Sequence, residues 1–212
     1  PRRGESSAEP SSPLDDRPAL VLEALENSQD LYYFGIGSNM LRSKIENRGV
    51  NGSKIEILEM EAAVVPEYRL SFNMRGFPPL EPGMGSLELI NESSLALLEY
   101  DKPECHGALV KLNSTNYEKL MASEGISPNS TRPGYREILV QAIPYDTSKS
   151  PVTAVALQAR PHVRLKRDPC PSERYLTMLR QGAAELGLKT CYQDFLKSIP
   201  TQRSPEWLKR LA

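Results

Sequence analysis

The sequence predicts an α+β fold: a mixed or antiparallel sheet curled into a small barrel, with one short helix in mid-chain and a helix pair near the C terminus. Three observations point there. Many short apolar runs rich in β-branched and aromatic residues are separated by turn residues. Helical periodicity is confined to a few stretches. The regular alternation of strand and helix that builds a parallel doubly wound sheet is missing, which leaves a sheet that closes on itself.

The elements follow in order. Residues 1–18 carry Pro, Ser, Glu and Arg with hardly an apolar side chain, so burial cannot offset their ordering entropy and they read as a flexible arm. Pro18 followed by Ala19, Leu20, Val21, Leu22 and Leu25 reads as a short amphipathic helix. Leu31 to Phe34 is strand-like and stops in Gly35, Ile36, Gly37, Ser38 and Asn39, a composition that demands unusual torsions. Further strands are expected at 55–65, 68–74, 86–90, 95–100, 105–112, 136–142 and 152–159. A helix is expected at 115–124, where Thr115 with Glu118 fits a capping box. A helical region spans 172–199 and breaks at Gly187; Thr190 with Gln193 suggests a second capping box. Its stripes (Tyr175, Met178, Leu179, Gly182, Ala183 and Leu186, then Tyr192, Phe195, Leu196 and Ile199) read as core. One domain at 19–200 results, followed by a polar tail, 201–212, whose Trp207 is expected to dock on the body.

Composition excludes several classes of function. The 212-residue chain can bury a core without disulfide or metal staples, and its net charge of -1, evenly scattered, builds no field for nucleic acid. Cys105, Cys170 and Cys191 are odd in number and far apart, which fits a reducing compartment better than a disulfide framework. No run approaches the roughly 20 apolar residues that cross a bilayer, so no membrane insertion is expected. Asn-x-Ser/Thr sequons begin at Asn51, Asn91, Asn113 and Asn129, but no apolar signal segment accompanies them. The chain starts at Pro1 without Met, so a cytoplasmic location and an organelle such as a plastid, after removal of a targeting segment, both fit.

Two segments carry candidate chemistry. In Tyr33-Phe34-Gly35-Ile36-Gly37-Ser38-Asn39-Met40, two glycines allow successive backbone N–H groups to converge on a carboxylate or a developing oxyanion. A plain strand-to-helix turn fits the same composition. A dinucleotide fingerprint does not, because Met40 stands where glycine is needed. In the second segment, Tyr117, Leu120, Met121 and Glu124 share one helical face, and Gly125 is placed to end the helix in a left-handed conformation. Glu124 aimed inward would have its pKa raised by desolvation and could both accept and return a proton; a frayed helix end would leave it in water. The remaining candidates are weaker. His106 and His162 lack metal-ligand spacing, and Ser38 is not in a Gly-x-Ser-x-Gly elbow. Glu88, Glu118 and Glu137 are the acids that a glycosidase-like pair with Glu124 would require. Residues 76–85, rich in Pro and Gly, read as a lid or a rigid turn, and Arg132 or Arg136 as carboxylate ligands or surface charges.

These residues resemble the γ-glutamylcyclotransferase-like family. Tyr33 to Met40 is similar to its Tyr-Phe-Ala-Tyr-Gly-Ser-Asn-Leu signature, and Glu124-Gly125 to its catalytic Glu-Gly; Tyr68 to Phe72, Cys105 to Val110, Gly134-Tyr135-Arg136 and residues 169–200 extend the likeness over about residues 31–200. The resemblance implies the barrel-like γ-glutamylcyclotransferase fold and cofactor-free cyclisation of a γ-glutamyl compound to 5-oxoproline, with release of the attached amine or amino acid. By resemblance Glu124 is the catalytic acid-base. Gly35, Ile36, Gly37, Ser38, Asn39 and Tyr135 line the substrate site, and no metal takes part. Ile36 stands where the family has Tyr, which removes a hydroxyl. An alternative that keeps the fold is an inactive accessory subunit. The partners implied are a small γ-glutamyl molecule and a homodimer or larger assembly.

Overall fold

The computed structural model describes residues 16–49, 53–77, 80–90 and 104–202. Its elements are α1 (Ala19–Glu26), β1 (Leu31–Gly35), a 3-10 turn (Gly37–Met40), α2 (Arg42–Glu46), β2 (Glu59–Val65), β3 (Tyr68–Phe77), β4 (Glu81–Leu89), β5 (Cys105–Leu112), α3 (Ser114–Ser123), β6 (Tyr135–Pro144), β7 (Val152–Ala159), α4 (Glu173–Glu185) and α5 (Thr190–Ser198).

Five strands close a barrel in the order β1-β5-β2-β6-β7, and β3 with β4 forms a separate hairpin. The strand pairs are antiparallel except for the closure, where Tyr33 of β1 lies parallel to Val155 of β7. Closure leaves the barrel without an open edge. Because successive strand residues point to opposite faces, the wall supplies two apolar clusters. Phe34, Leu109, Ala154 and Ala156 join Leu176, Leu179 and Tyr192 of α4 and α5. Tyr33, Val110, Leu112 and Val155 join Val21 of α1, Ile45 of α2 and Tyr117, Leu120 and Met121 of α3. Burial on both faces explains why these strands read as unbroken apolar runs.

The hairpin lies against β7, where Ser86 Oγ accepts from the Ala159 N–H at 2.8 Å and Leu87 O accepts from Gln158 Nε2 at 3.1 Å. Its strands run from Tyr68 to Phe77 and from Glu81 to Leu89, so much of the expected lid, 76–85, is paired sheet; Pro78 and Pro79 lie outside the described residues. So do the strand expected at 95–100, the sequons at Asn51 and Asn91, Trp207, and residues 1–15 of the arm.

The described end of the arm is anchored. Arg17 is buried and its Nε donates to Glu137 Oε2 at 2.7 Å, while Asp16 pairs with Arg160 at 2.7 Å. A charged residue inside an apparently unstructured run found a buried acid, a long-range pairing that local composition does not encode. Both capping expectations also change. The Asn113 side chain, rather than Thr115, caps α3 by accepting from the Asn116 N–H at 2.9 Å. At α5, Lys189 takes the cap position without a side-chain bond, and Gln193 Nε2 reaches the Leu188 carbonyl at 2.7 Å. In the first case Asn113 stands ahead of Thr115 and competes successfully for the role. The expected strand 55–65 starts only at Glu59, and α2 was not foreseen. Among the described residues no helix is long and apolar enough to cross a membrane.

Candidate active site

The site is built where β1 runs out. Extended Ile36 (φ -118°, ψ 173°) leads into the 3-10 turn, and Gly37 then takes φ +64°. Space reinforces the torsional demand, since a Cβ on Gly37 would lie 2.5 Å from the Tyr175 hydroxyl. The turn closes when the Asn39 N–H donates to the Ile36 carbonyl at 3.2 Å. That amide is therefore occupied, and Asn39 contributes its side chain: Nδ2 donates to Tyr33 Oη and to Glu124 Oε1, each at 2.8 Å. Its Oδ1 is buried with no hydrogen-bond partner.

Glu124 arrives from the other direction, as the C-cap of α3. Gly125 follows at φ +80°, which turns the chain away and leaves the carboxylate against the glycine turn. The Glu124 side chain is 11 % exposed. It is held as an ion pair with Arg48, whose Nη1 donates to Oε1 and whose Nη2 donates to Ser38 Oγ at 3.1 Å. Arg48 sits just past the end of α2, its N–H bonded to the Ile45 carbonyl at 3.0 Å.

Phenols form the rest of the wall. Tyr135, at the start of β6, donates to the Gly85 carbonyl at 2.9 Å, and the Gly85 N–H donates to Tyr175 Oη at 3.0 Å. One residue of β4 thus fixes two tyrosines. Ser172 places the second of them: its Oγ accepts from the Tyr175 N–H at 3.1 Å and donates to Glu81 of the hairpin. Burial, reinforced by the nearby Glu124 charge, pushes the Tyr175 hydroxyl up to about 12 and raises Tyr33 further. Tyr135 is likewise raised, by burial first and then by Tyr175 and Glu124. All three remain neutral phenols at ordinary pH, able to donate or accept without adding charge.

The structure therefore brings Glu124, Gly37, Ser38, Asn39, Tyr135 and Gly35 of the sequence-derived set to one end of β1, and Ile36 packs beside them near Gly85. Other candidates go elsewhere. Glu118 is exposed, Glu137 binds Arg17 and Tyr117, and Glu88 binds Asn73 and Arg164. None of the three acids shares a partner with Glu124, so a paired-carboxylate arrangement is not built. Arg136 is exposed and bonds Gln158 at 3.0 Å across the barrel wall, and Arg132 is exposed. His106 is a buried structural residue against Tyr145 and Tyr192. Among the described residues no three His, Cys, Asp or Glu gather as metal ligands.

Two contributors escaped the sequence. Arg48 was signalled only by Leu41, Ile45 and Arg48 falling at intervals of four and three residues, the mark of one helical face whose first two members are buried. Tyr175 was read as core, since periodicity locates a side chain on a face and says nothing of where its hydroxyl ends.

No protein-family model matches the chain. Among curated proteins it is 29% identical over 185 residues to the γ-glutamyl cyclotransferase gliK of Aspergillus fumigatus, covering 82% of this chain and 64% of that protein. With the γ-glutamyl cyclotransferase gliK of Claviceps purpurea it shares 32% identity over 150 residues, 69% of this chain and 62% of the relative. The chain thus spans under two thirds of the length of either. A solved γ-glutamyl cyclotransferase shares the fold, with a TM-score of 0.58 at 19% identity over 86% of this chain and 98% of that one. The relatives named γ-glutamyl cyclotransferase and the shared barrel fold together support a γ-glutamylcyclotransferase-like assignment for the chain.

Proposed function

We propose that the protein cyclises a γ-glutamyl compound to 5-oxoproline and releases the attached amine or amino acid. The observation that carries this reading is the Glu124 carboxylate held against the glycine turn by the Asn39 side chain. The relatives named γ-glutamyl cyclotransferase support the reaction class.

The substrate supplies its own nucleophile, so the chain needs to move protons and stabilise charge. Glu124 takes a proton from the α-ammonium. The freed amine attacks the γ-carbonyl, the ring C–N bond forms, and the carbonyl electrons move to oxygen, where backbone N–H groups of Ile36, Gly37 and Ser38 meet the developing charge. The intermediate collapses as the bond to the leaving nitrogen breaks; Glu124 returns the first proton there, the second proton of the ring nitrogen follows through the same carboxylate, and the leaving group departs as an ammonium while the lactam keeps one N–H. Atoms balance without water. The tyrosines limit the cavity and exclude solvent while adding no charge.

Incubation with γ-glutamyl amino acids, γ-glutamyl amines and glutathione should yield 5-oxoproline, measured by chromatography. Glu124→Gln keeps the shape of the side chain and removes the proton carrier, so turnover should fall by at least about 100-fold with the fold intact by circular dichroism. Full activity in that variant would remove Glu124 from the mechanism, and no product from any γ-glutamyl compound would overturn the reading.

A further inference from the structure

We infer that Arg48 is the anchor for the substrate's α-carboxylate, and that the Arg48–Glu124 ion pair is exchanged for two new pairs when a zwitterionic glutamyl head group binds. The inference rests on the cyclisation reading and adds to it the residue that holds the α-carboxylate which a γ-glutamyl compound carries beside its α-amine.

The geometry is unusual for an acid expected to accept a proton. Glu124 Oε1 receives both Arg48 Nη1 and Asn39 Nδ2, so this oxygen is occupied in the free protein. The guanidinium stands where an incoming ammonium would meet Oε1, so the pair must open for that oxygen to receive a proton. An α-amino acid head group carries the matching charges. Its carboxylate can take the planar guanidinium fork, for which Arg is suited, and its ammonium can take Glu124. Each charge keeps an opposite partner, so the exchange leaves none buried alone.

Three further observations fit this exchange. Arg48 is tethered at Nη2 by Ser38 Oγ, so Nη1 can be surrendered while the guanidinium stays over the glycine turn. The side chain is 25 % exposed, against 11 % for Glu124, which puts the cation on the more open side of the pair. Asn39 Oδ1, buried and unpartnered on the same amide that bonds Glu124, is an acceptor suited to an N–H of the ammonium. The two arginines singled out from sequence as carboxylate ligands, Arg132 and Arg136, are exposed, and Arg136 is committed to Gln158. Arg48 is the cation that the described residues place on Glu124.

The test compares γ-glutamyl-alanine with its analogue in which the glutamyl α-carboxylate is a primary amide, using wild type, Arg48→Gln and Arg48→Lys. Wild type should prefer the free carboxylate by on the order of 100-fold in kcat/KM. Arg48→Gln should lose activity on the free acid and narrow the preference to less than about fivefold, with Arg48→Lys between them, because Lys keeps the charge without the fork. Should Arg48→Gln retain the wild-type preference while still cyclising, the anchor is wrong and the cyclisation reading survives. If wild type makes no 5-oxoproline at all, the cyclisation reading fails, and calorimetric titration of the same two compounds decides the anchor: selective binding of the free acid, lost in Arg48→Gln, upholds it, and equal or absent binding overturns it. Should Arg48→Gln not fold, Arg48→Lys carries the comparison.

Discussion

Replacing Gly37 by Ala tests how the site is held in shape. The new Cβ meets two penalties. At φ +64° an L-residue is strained by roughly 1–2 kcal/mol. It would also stand 2.5 Å from Tyr175 Oη, with the next ring atom, Cζ, at 3.4 Å, and relieving that overlap costs about another 1–2 kcal/mol. Gly37→Ala should therefore destabilise by about 2–4 kcal/mol, a fall in Tm of roughly 4–16 °C at this chain length. Tyr175→Phe removes the clashing atom but leaves the Gly85 N–H without its acceptor, at a cost of about 1–3 kcal/mol. In the double variant the overlap is gone, so the two effects should sum to about 1–2 kcal/mol less than the singles predict. Equilibrium urea unfolding of the four proteins measures this coupling. Additivity within about 0.5 kcal/mol, or a Gly37→Ala protein as stable as wild type, would refute the claim that the hydroxyl and the turn share one space.

Other outcomes follow from features away from the turn. Arg17→Met leaves the Glu137 carboxylate, whose side chain is 2 % exposed, with Tyr117 as partner but no cation, and should cost about 3–5 kcal/mol in denaturant unfolding; a loss under about 1 kcal/mol would show that the arm is not anchored. Burial, aided by the Lys189 ammonium, lowers His106 from 6.5 to about 4. Between those values the unfolded chain binds a proton that the folded chain refuses, so stability should lose on the order of 1–2 kcal/mol as pH falls from 6.5 toward 4. His106→Gln should lack that slope, and an identical pH profile would count against the assignment. Asn113→Ala should cost about 1 kcal/mol and Thr115→Ala next to nothing, since Asn113 makes the cap bond; the reverse order in thermal melts would restore Thr115 as the cap.

The fold was legible where periodicity and side-chain type agree. The strands at 105–112 and 152–159 stand where their apolar runs place them, because both faces of those segments are buried. The break at Gly187 and the left-handed Gly125 follow from what glycine alone does comfortably. Legibility fails where a residue's role depends on a partner far along the chain. Arg17 and Glu137 are 120 residues apart, and Arg48 and Glu124 are 76 apart. A sequence window shows such residues only as scattered charges. Asn39 is an intermediate case: the motif marks it, yet its backbone amide serves the turn and its side chain reaches the acid, a division that appears only in three dimensions.

Tyr175 also bears on the order of events during synthesis. Its hydroxyl touches both the hairpin and the glycine turn, although it is encoded 138 residues after Gly37 (175 − 37). A nascent chain that has already emerged through the barrel strands still lacks this phenol, so its cleft is unfinished until α4 leaves the ribosome and docks. Maturation of the cavity should thus be among the last steps of folding.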